Sequence, residues 1–305
     1  MATSRTKFIG TVCAIGAAVC YGTNPLGALN LYAEGMNTPS VLFYRFGLAW
    51  VIVAAVMGVK ALRGSEGLRL DRREFRTLSA LGVLFILSSL TLYLSFHLMP
   101  AGVASTILFT YPVMTAAIMA TFFRERVTLG TVGAIVLSLL GVLLLYWGDG
   151  DGSTLHLGGV VLVLVSALTY ALYIVVVDKS PLHMSSFKIN FYVLFYCAAG
   201  MALFALLSGQ PLQLPPTPRA WLWVSWLAVV PAIMALVMMV YAAKYIGSTP
   251  TAILGALEPT TAVLIGVLVF AEPFTLRLLC GIALILAAVT IVVLGKGNKR
   301  AVDSK

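Results

Sequence analysis

Ten apolar runs leave this chain little else to fold with. They cover roughly 8–31, 39–59, 77–98, 101–123, 129–147, 157–177, 186–207, 220–243, 249–270 and 275–294. An apolar stretch of about 18 residues or more is long enough to cross a bilayer as a helix. Hydrocarbon offers the backbone no partners, so a spanning segment must satisfy its own hydrogen bonds. The 305-residue chain is 60% hydrophobic and only 10% charged, against about 25% charged in soluble domains. That leaves too little polar surface to coat a water-soluble globule. The expected fold class is therefore an all-α membrane protein of ten transmembrane helices, one membrane domain with no soluble module. The first run is too long for the core of a cleaved signal peptide and reads as a retained helix. Cys13, Cys20, Cys197 and Cys280 all fall inside runs without CxxC spacing, so neither a disulfide framework nor a metal site is expected.

The net charge of +9 raises the question of nucleic acid, and its distribution answers it. With the N-terminus in the cytoplasm, all but three of the 20 basic residues lie in inner segments; the exceptions are Arg45, Arg219 and Arg277. The positive-inside rule then places both termini in the cytoplasm. The stretch from Lys60 to Arg76 is topogenic and can also meet anionic lipid headgroups. Trp147, Trp221, Trp223 and Trp226 sit at outer ends of runs, where amphipathic rings anchor at the headgroup boundary.

The chain also repeats itself. Residues 93–145 set against 240–292 at a constant offset of 147 align Pro112 with Pro259, Phe123 with Phe270, Glu125 with Glu272 and Thr128 with Thr275. Apolar matches are cheap in such a chain; these are not. The starts of the halves fit at offset 149, pairing Gly10 with Gly159 and Tyr21 with Tyr170. The expected domains are 1–148 and 155–298, each with five spans. Five is odd, so the second copy enters the membrane from the opposite side. Inverted repeats about a midplane axis are an architecture of secondary transporters.

FFRERVTLGTVGAIVLSLLGVLLL and LEPTTAVLIGVLVFAEPFTLRLLCGIALILAAVTIVVL resemble the two EamA repeats of the drug/metabolite transporter superfamily. The shared pattern is a proline in the fourth helix of each half, a glutamate at its end, and a Gly-rich fifth helix. PSVLFYRFGLAW, with Arg45, resembles the second helix of the family. As a whole the chain is similar to bacterial YddG-type exporters of aromatic and other amino acids. The resemblance implies a cavity surrounded by helices 1, 3, 4, 6, 8 and 9, with helices 5 and 10 at the periphery.

The stretch LGALEPTTAVL puts Glu258 beside Pro259 near mid-membrane. A charge there costs about 2.5–3.5 kcal/mol on insertion scales. Pro259 lacks an N–H, so the carbonyl of Gly255 loses its helical bond. Pro112 does the same to Leu108, and Pro25 to Tyr21. Unbonded backbone at this depth is tolerated only when buried in protein or facing a wet cavity. Paired interruptions in the two halves therefore point to a site at the midplane; packed kinks without a ligand would also account for them. Glu258 would meet a substrate ammonium or a proton, or else stand protonated against a neighbouring helix. Its repeat equivalent is Tyr111. Phe109, Asn24, Tyr170 and Tyr173 complete the candidate cavity residues.

Other features have plainer readings. His97 reads as an ordinary solvated or packed histidine at an outer helix end, with a proton relay as the alternative. Met234, Met238 and Met239 read first as lipid-facing or core-packing residues, with an adaptable apolar wall as the alternative. Glu125 and Glu272 would cap the helices that follow them. Gly10, Ala14, Ala18 and Gly22 form a small-residue stripe for close helix approach. Asp149 and Asp151 have calcium-loop spacing but lack the closing glutamate. No nucleophile motif is present, so no enzyme activity and no cofactor are expected.

The expected function is export of small amphipathic metabolites, amino acids including aromatic ones first, by alternating access in a bacterial-type inner membrane. Cationic drugs or other metabolites are the alternative cargo, and a passive channel the alternative class. Expected partners are the small-molecule substrate, membrane lipid and, as a candidate coupling ion, the proton; nucleic acid is not among them. Oligomeric state is not legible.

Overall fold

Every apolar run forms a helix, and four of the ten are interrupted. The structure is a computed structural model that describes residues 4–62, 68–123, 129–146, 155–180 and 184–303. In chain order the helices are α1 (Ser4–Gly22), α2 (Asn24–Ala33), α3 (Thr38–Leu62), α4 (Arg72–Ser95), α5 (Ala101–Leu108), α6 (Tyr111–Phe122) and α7 (Leu129–Tyr146). They continue with α8 (Leu157–Lys179), α9 (Ser186–Leu207), α10 (Pro218–Val229), α11 (Ala235–Ile246), α12 (Ser248–Leu254), α13 (Leu257–Phe270) and α14 (Leu276–Asp303). Among the described residues ten spans are long and apolar enough to cross a membrane. Span 1 is α1 with α2, span 4 is α5 with α6, span 8 is α10 with α11, and span 9 is α12 with α13. The chain is a multi-pass membrane protein. Trp147, Glu125, Thr128, Asp149 and Asp151 lie outside the described residues.

Each interruption sits at a proline, and the backbone adjusts locally. At Pro25 the carbonyl of Tyr21 takes a 2.8 Å bond from the Asn24 side-chain amide. Thr23 turns its hydroxyl back onto the Cys20 carbonyl at 2.7 Å. Before Pro259 the Gly255 carbonyl accepts the N–H of Glu258 at 2.9 Å. The carbonyl expected to lose its partner therefore regains one through a tighter, three-residue turn. Span 8 carries an interruption that the repeat comparison does not reveal. Pro231 lies in a single wide π turn, Val230–Met234, joining α10 to α11. Its run reads VVPAIM, so the proline was visible, but it has no counterpart in the other half.

The packing pattern has its own symmetry. α7 lies on α14, α3 on α9, and α5 on α13; α4 lies on α8 and α1 on α11. Exchanging every span with the one five later leaves this set of pairs unchanged. The small-residue stripe of α1 makes close contacts possible. Ala14 and Ala18 are fully buried, and a Cβ on Gly10 would stand 2.7 Å from Ile246. A Cβ on Gly22 would stand 2.5 Å from Thr261 and 2.6 Å from the Glu258 carbonyl oxygen. Trp221 and Trp226 are partly exposed at the start of α10, as anchors should be, whereas Trp223 packs inward on the core.

Candidate functional site between the broken helices

The two breaks, at 109–110 and at 255–256, lie across one cavity of about 410 Å³. Span 4 contributes Phe109, Tyr111, Pro112 and Thr115, and span 9 contributes Thr251, Ala252, Gly255 and Glu258. Ile174 comes from α8, Met239 and Ala243 from α11, and Val289, Val292 and Val293 from α14. All these residues lie at the breaks or on the side where α14 ends. Gly10, near the start of α1, packs against Ile246 at that same end. This end of the bundle is called the near end, and the opposite one the far end.

Glu258 stands in the first turn of α13 and, among the described residues, is the only charged one lining the cavity. Among the described residues no side chain donates a hydrogen bond to its carboxylate, which leaves it available to a ligand. Its repeat partner Tyr111 begins α6 on the opposite wall. Aromatic rings back that wall. Phe109 meets Tyr111 edge-on at 5.7 Å, Tyr111 meets Tyr170 edge-on at 4.7 Å, and Tyr170 stacks on Tyr173 at 5.9 Å. Tyr170 and Tyr173 thus support the cavity wall without lining it. Tyr21 lies within electrostatic reach of Glu258, and the Tyr21–Tyr170 match at offset 149 was a sequence signal for it.

Asn24 lies outside the cavity. Its amide is engaged by the Tyr21 carbonyl, and its oxygen accepts the Tyr93 hydroxyl at 3.3 Å. Arg45 donates from Nη1 to that hydroxyl at 2.6 Å. The guanidinium also lies 5.3 and 5.4 Å from the ring centroids of Phe46 and Tyr93. Arg45 is thereby a buried cation held by a phenol and two aromatic faces. Pro25 is buried beside this network, whereas Pro112 lines the cavity and Pro259 is buried behind it.

Two expectations about the wall need correction. Helix 10 is not peripheral here, because three valines of α14 line the cavity. Spans 1 and 3 contribute no lining residue. Of the three methionines considered, Met239 lines the cavity, Met238 packs by Gly16, and Met234 is exposed.

At the far end the same two spans are tied together. The chain leaves α13 through Ala271 in a left-handed turn, φ 54°, which folds Glu272 back. The Glu272 carboxylate accepts the N–H of Ala101 at 2.6 Å and that of Gly102 at 3.0 Å. Glu272 therefore caps α5, in the other half of the chain, and not the helix that follows it. Thr275 caps that helix instead, accepting the N–H of Leu278 at 3.1 Å. Gly266 gives the carboxylate its seat, since a Cβ there would stand 2.1 Å from Oε2. Burial pushes the Glu272 carboxyl above its usual range, against the two N–H bonds that pull it down. Nearby, His97 is bonded through Nε2 to Thr38 at 3.1 Å and packs on Tyr32 at 4.1 Å.

Both halves match the model of the EamA-like transporter family, over residues 8–147 and 157–294. The chain belongs to that family. An uncharacterized transporter of Archaeoglobus fulgidus is 28% identical, over 94% of this chain and 97% of its own. An uncharacterized transporter of Synechocystis is 30% identical, over 67% of this chain and 62% of its own. A solved crystal structure superimposes with a TM-score of 0.64 at 20% identity, covering 93% of this chain and 96% of the other; it speaks to the fold alone. This EamA-like transporter thus carries its paired broken helices, one from each family repeat, on opposite walls of a single cavity.

Proposed function

We propose that the chain moves small amphipathic compounds bearing an ammonium group out of the cell by alternating access. Five crossings per repeat run the second copy upside down relative to the first, and the charge bias puts both termini in the cytoplasm. The cavity then reaches from mid-membrane to the cytoplasmic side, and the Glu272 tie closes the outer side. The observation that carries this reading is the position of Glu258, a lone carboxylate facing an aromatic wall between two broken helices. A carboxylate takes an ammonium, and tyrosine and phenylalanine faces take an apolar body or a cation.

Amino acids, aromatic ones included, fit that description. One observation favours the second reading, cationic drugs or metabolites: among the described residues no basic side chain lines the cavity to receive a substrate carboxylate. Reconstituted flux of phenylalanine against its decarboxylated amine separates the two. A carrier shows saturation and counterflow with one of them; flux that never saturates would indicate a passive channel. Glu258→Gln keeps the shape and removes the charge. Unchanged flux and pH dependence in that variant would remove Glu258 from the mechanism.

A further inference from the structure

We infer that Arg45 receives the carboxylate of the cargo, as a second station between Glu258 and the far end of the bundle. This rests on the reading of the cargo as an amphipathic amine and narrows it to amino acids. Arg45 lies inside span 2 and is 7% exposed. A cation held near a membrane surface for topology keeps its head in water; this one does not. Cations buried at such depth pair with an acid or mark a path for substrate or ions. Among the described residues no carboxylate pairs with Arg45. Nη1 donates to the Tyr93 hydroxyl, that hydroxyl donates to Asn24, and the Asn24 amide donates to the Tyr21 carbonyl. The chain of bonds ends on the backbone without reaching a negative charge. Nε is buried with no partner. A dry guanidinium donor is costly, and its planar fork matches a carboxylate. An anion there removes the cost.

The position of Arg45 selects the cargo as the source of that anion. Thr38, at the start of α3, is bonded to His97 at the far end. Arg45 follows seven residues later, roughly 10 Å in at 1.5 Å per residue. Glu258 lies twelve residues from Phe270 at the far end of α13, roughly 18 Å in. The two charges thus succeed one another along the bundle, and Tyr21 is within electrostatic reach of both.

A row of rings joins the two stations. Phe46, beside the guanidinium, meets Phe85 at 6.0 Å; Phe85 meets Tyr170 at 6.2 Å, and Tyr170 meets Tyr111 of the cavity at 4.7 Å. An apolar body moving along this row brings its carboxylate from a cavity without basic lining among the described residues to the cation ahead of it. An inorganic anion would have no use for the rings.

The test uses the full chain in phosphatidylcholine nanodiscs and vesicles. The probe is 3-phenylpropionate, which has the ring and carboxylate of phenylalanine without its ammonium. The expected result is a rise in unfolding temperature in the unaltered chain and in Glu258→Gln that is lost in R45Q. No rise in either the unaltered chain or Glu272→Ala, whose far end is untied, overturns the proposal, as does an equal rise in R45Q. So does an equal rise with chloride alone, which would make Arg45 an inorganic-anion site. Should R45Q fail to fold, R45K keeps the charge but loses the planar fork; a smaller rise is expected there, and an undiminished one overturns the station. In vesicles, R45Q should lower the preference for phenylalanine over phenylethylamine by roughly tenfold or more, as expected for losing a hydrogen bond to a charged group. An unchanged preference in a chain that carries phenylalanine with saturation overturns the Arg45 station alone. A chain that carries neither compound with saturation overturns the export reading, and the 3-phenylpropionate result then decides the arginine by itself.

Discussion

Glu272→Ala tests whether the far-end tie sets the closed state. Ala101 and Gly102 are both buried, and their N–H groups have the Glu272 carboxylate as partner. Without it the closed form holds two dry donors. A buried unpaired donor costs about 1–3 kcal/mol, so two sum to about 2 kcal/mol at the low end. At about 1.4 kcal/mol per factor of ten, this is roughly a 30-fold shift toward forms in which the start of α5 is hydrated. Deletion also relieves the desolvation of the carboxylate itself, which trims the shift toward about tenfold. The probe is Met99→Cys, buried at the same end and packed by Gly159, in a background lacking the four native cysteines. A membrane-impermeant maleimide is added on the far-end side and the labelling rate measured. A rate rise of about ten- to thirtyfold is expected if labelling follows the open population. An unchanged rate in a folded Glu272→Ala protein would refute the reasoning, because two buried donors would then cost nothing.

Three further outcomes follow from the same contacts. Burial raises the Glu272 carboxyl in the closed form, whereas an open, hydrated form would show the ordinary value. The closed form therefore binds the proton more tightly, and acidification from above the raised value toward the ordinary one favours closure. Met99→Cys labelling, normalised to the pH dependence of a free thiol, whose thiolate fraction falls the same way, should slow as pH falls through that window, and this remaining response should vanish with Glu272→Ala. Gly22→Ala drives a methyl to 2.5 Å from Thr261 and 2.6 Å from a backbone oxygen, which should cost about 1–3 kcal/mol of stability in thermal unfolding; a loss near zero would mean that α1 and α13 separate freely. Asn24→Ala leaves the Tyr21 carbonyl without its amide donor and Tyr93 without an acceptor. It should cost about 1–3 kcal/mol while leaving substrate preference unchanged, and a changed preference would place Asn24 in the binding site.

Much of the site was legible because membrane depth penalises the residues that mark it. Glu258 and the prolines stand out in apolar runs since each demands a compensating environment, and the repeat offset alone pairs Tyr111 with Glu258. Both line the cavity. Phe109 also lines it, whereas Tyr170 and Tyr173 stand one layer back, and Asn24 is turned away by a local bond to its own helix. A side-chain amide next to a proline has two possible partners, the freed carbonyl or a ligand, and composition does not distinguish them. The α14 valines gave no signal at all, because an apolar residue facing a cavity and one facing lipid are chemically the same.

By itself, then, the amino-acid order determined the ten apolar spans, through the cost of placing polar groups in hydrocarbon, and the twofold repetition, through matched residues at a constant offset. Tertiary structure alone decided which faces turn toward one another. It placed Glu272 on a helix 170 residues away in the chain, gave α14 a share of the cavity, and joined Arg45 to Asn24 through Tyr93. Those outcomes depend on how rods of similar greasiness pack, and their apolar surfaces are too alike for sequence to choose among the arrangements.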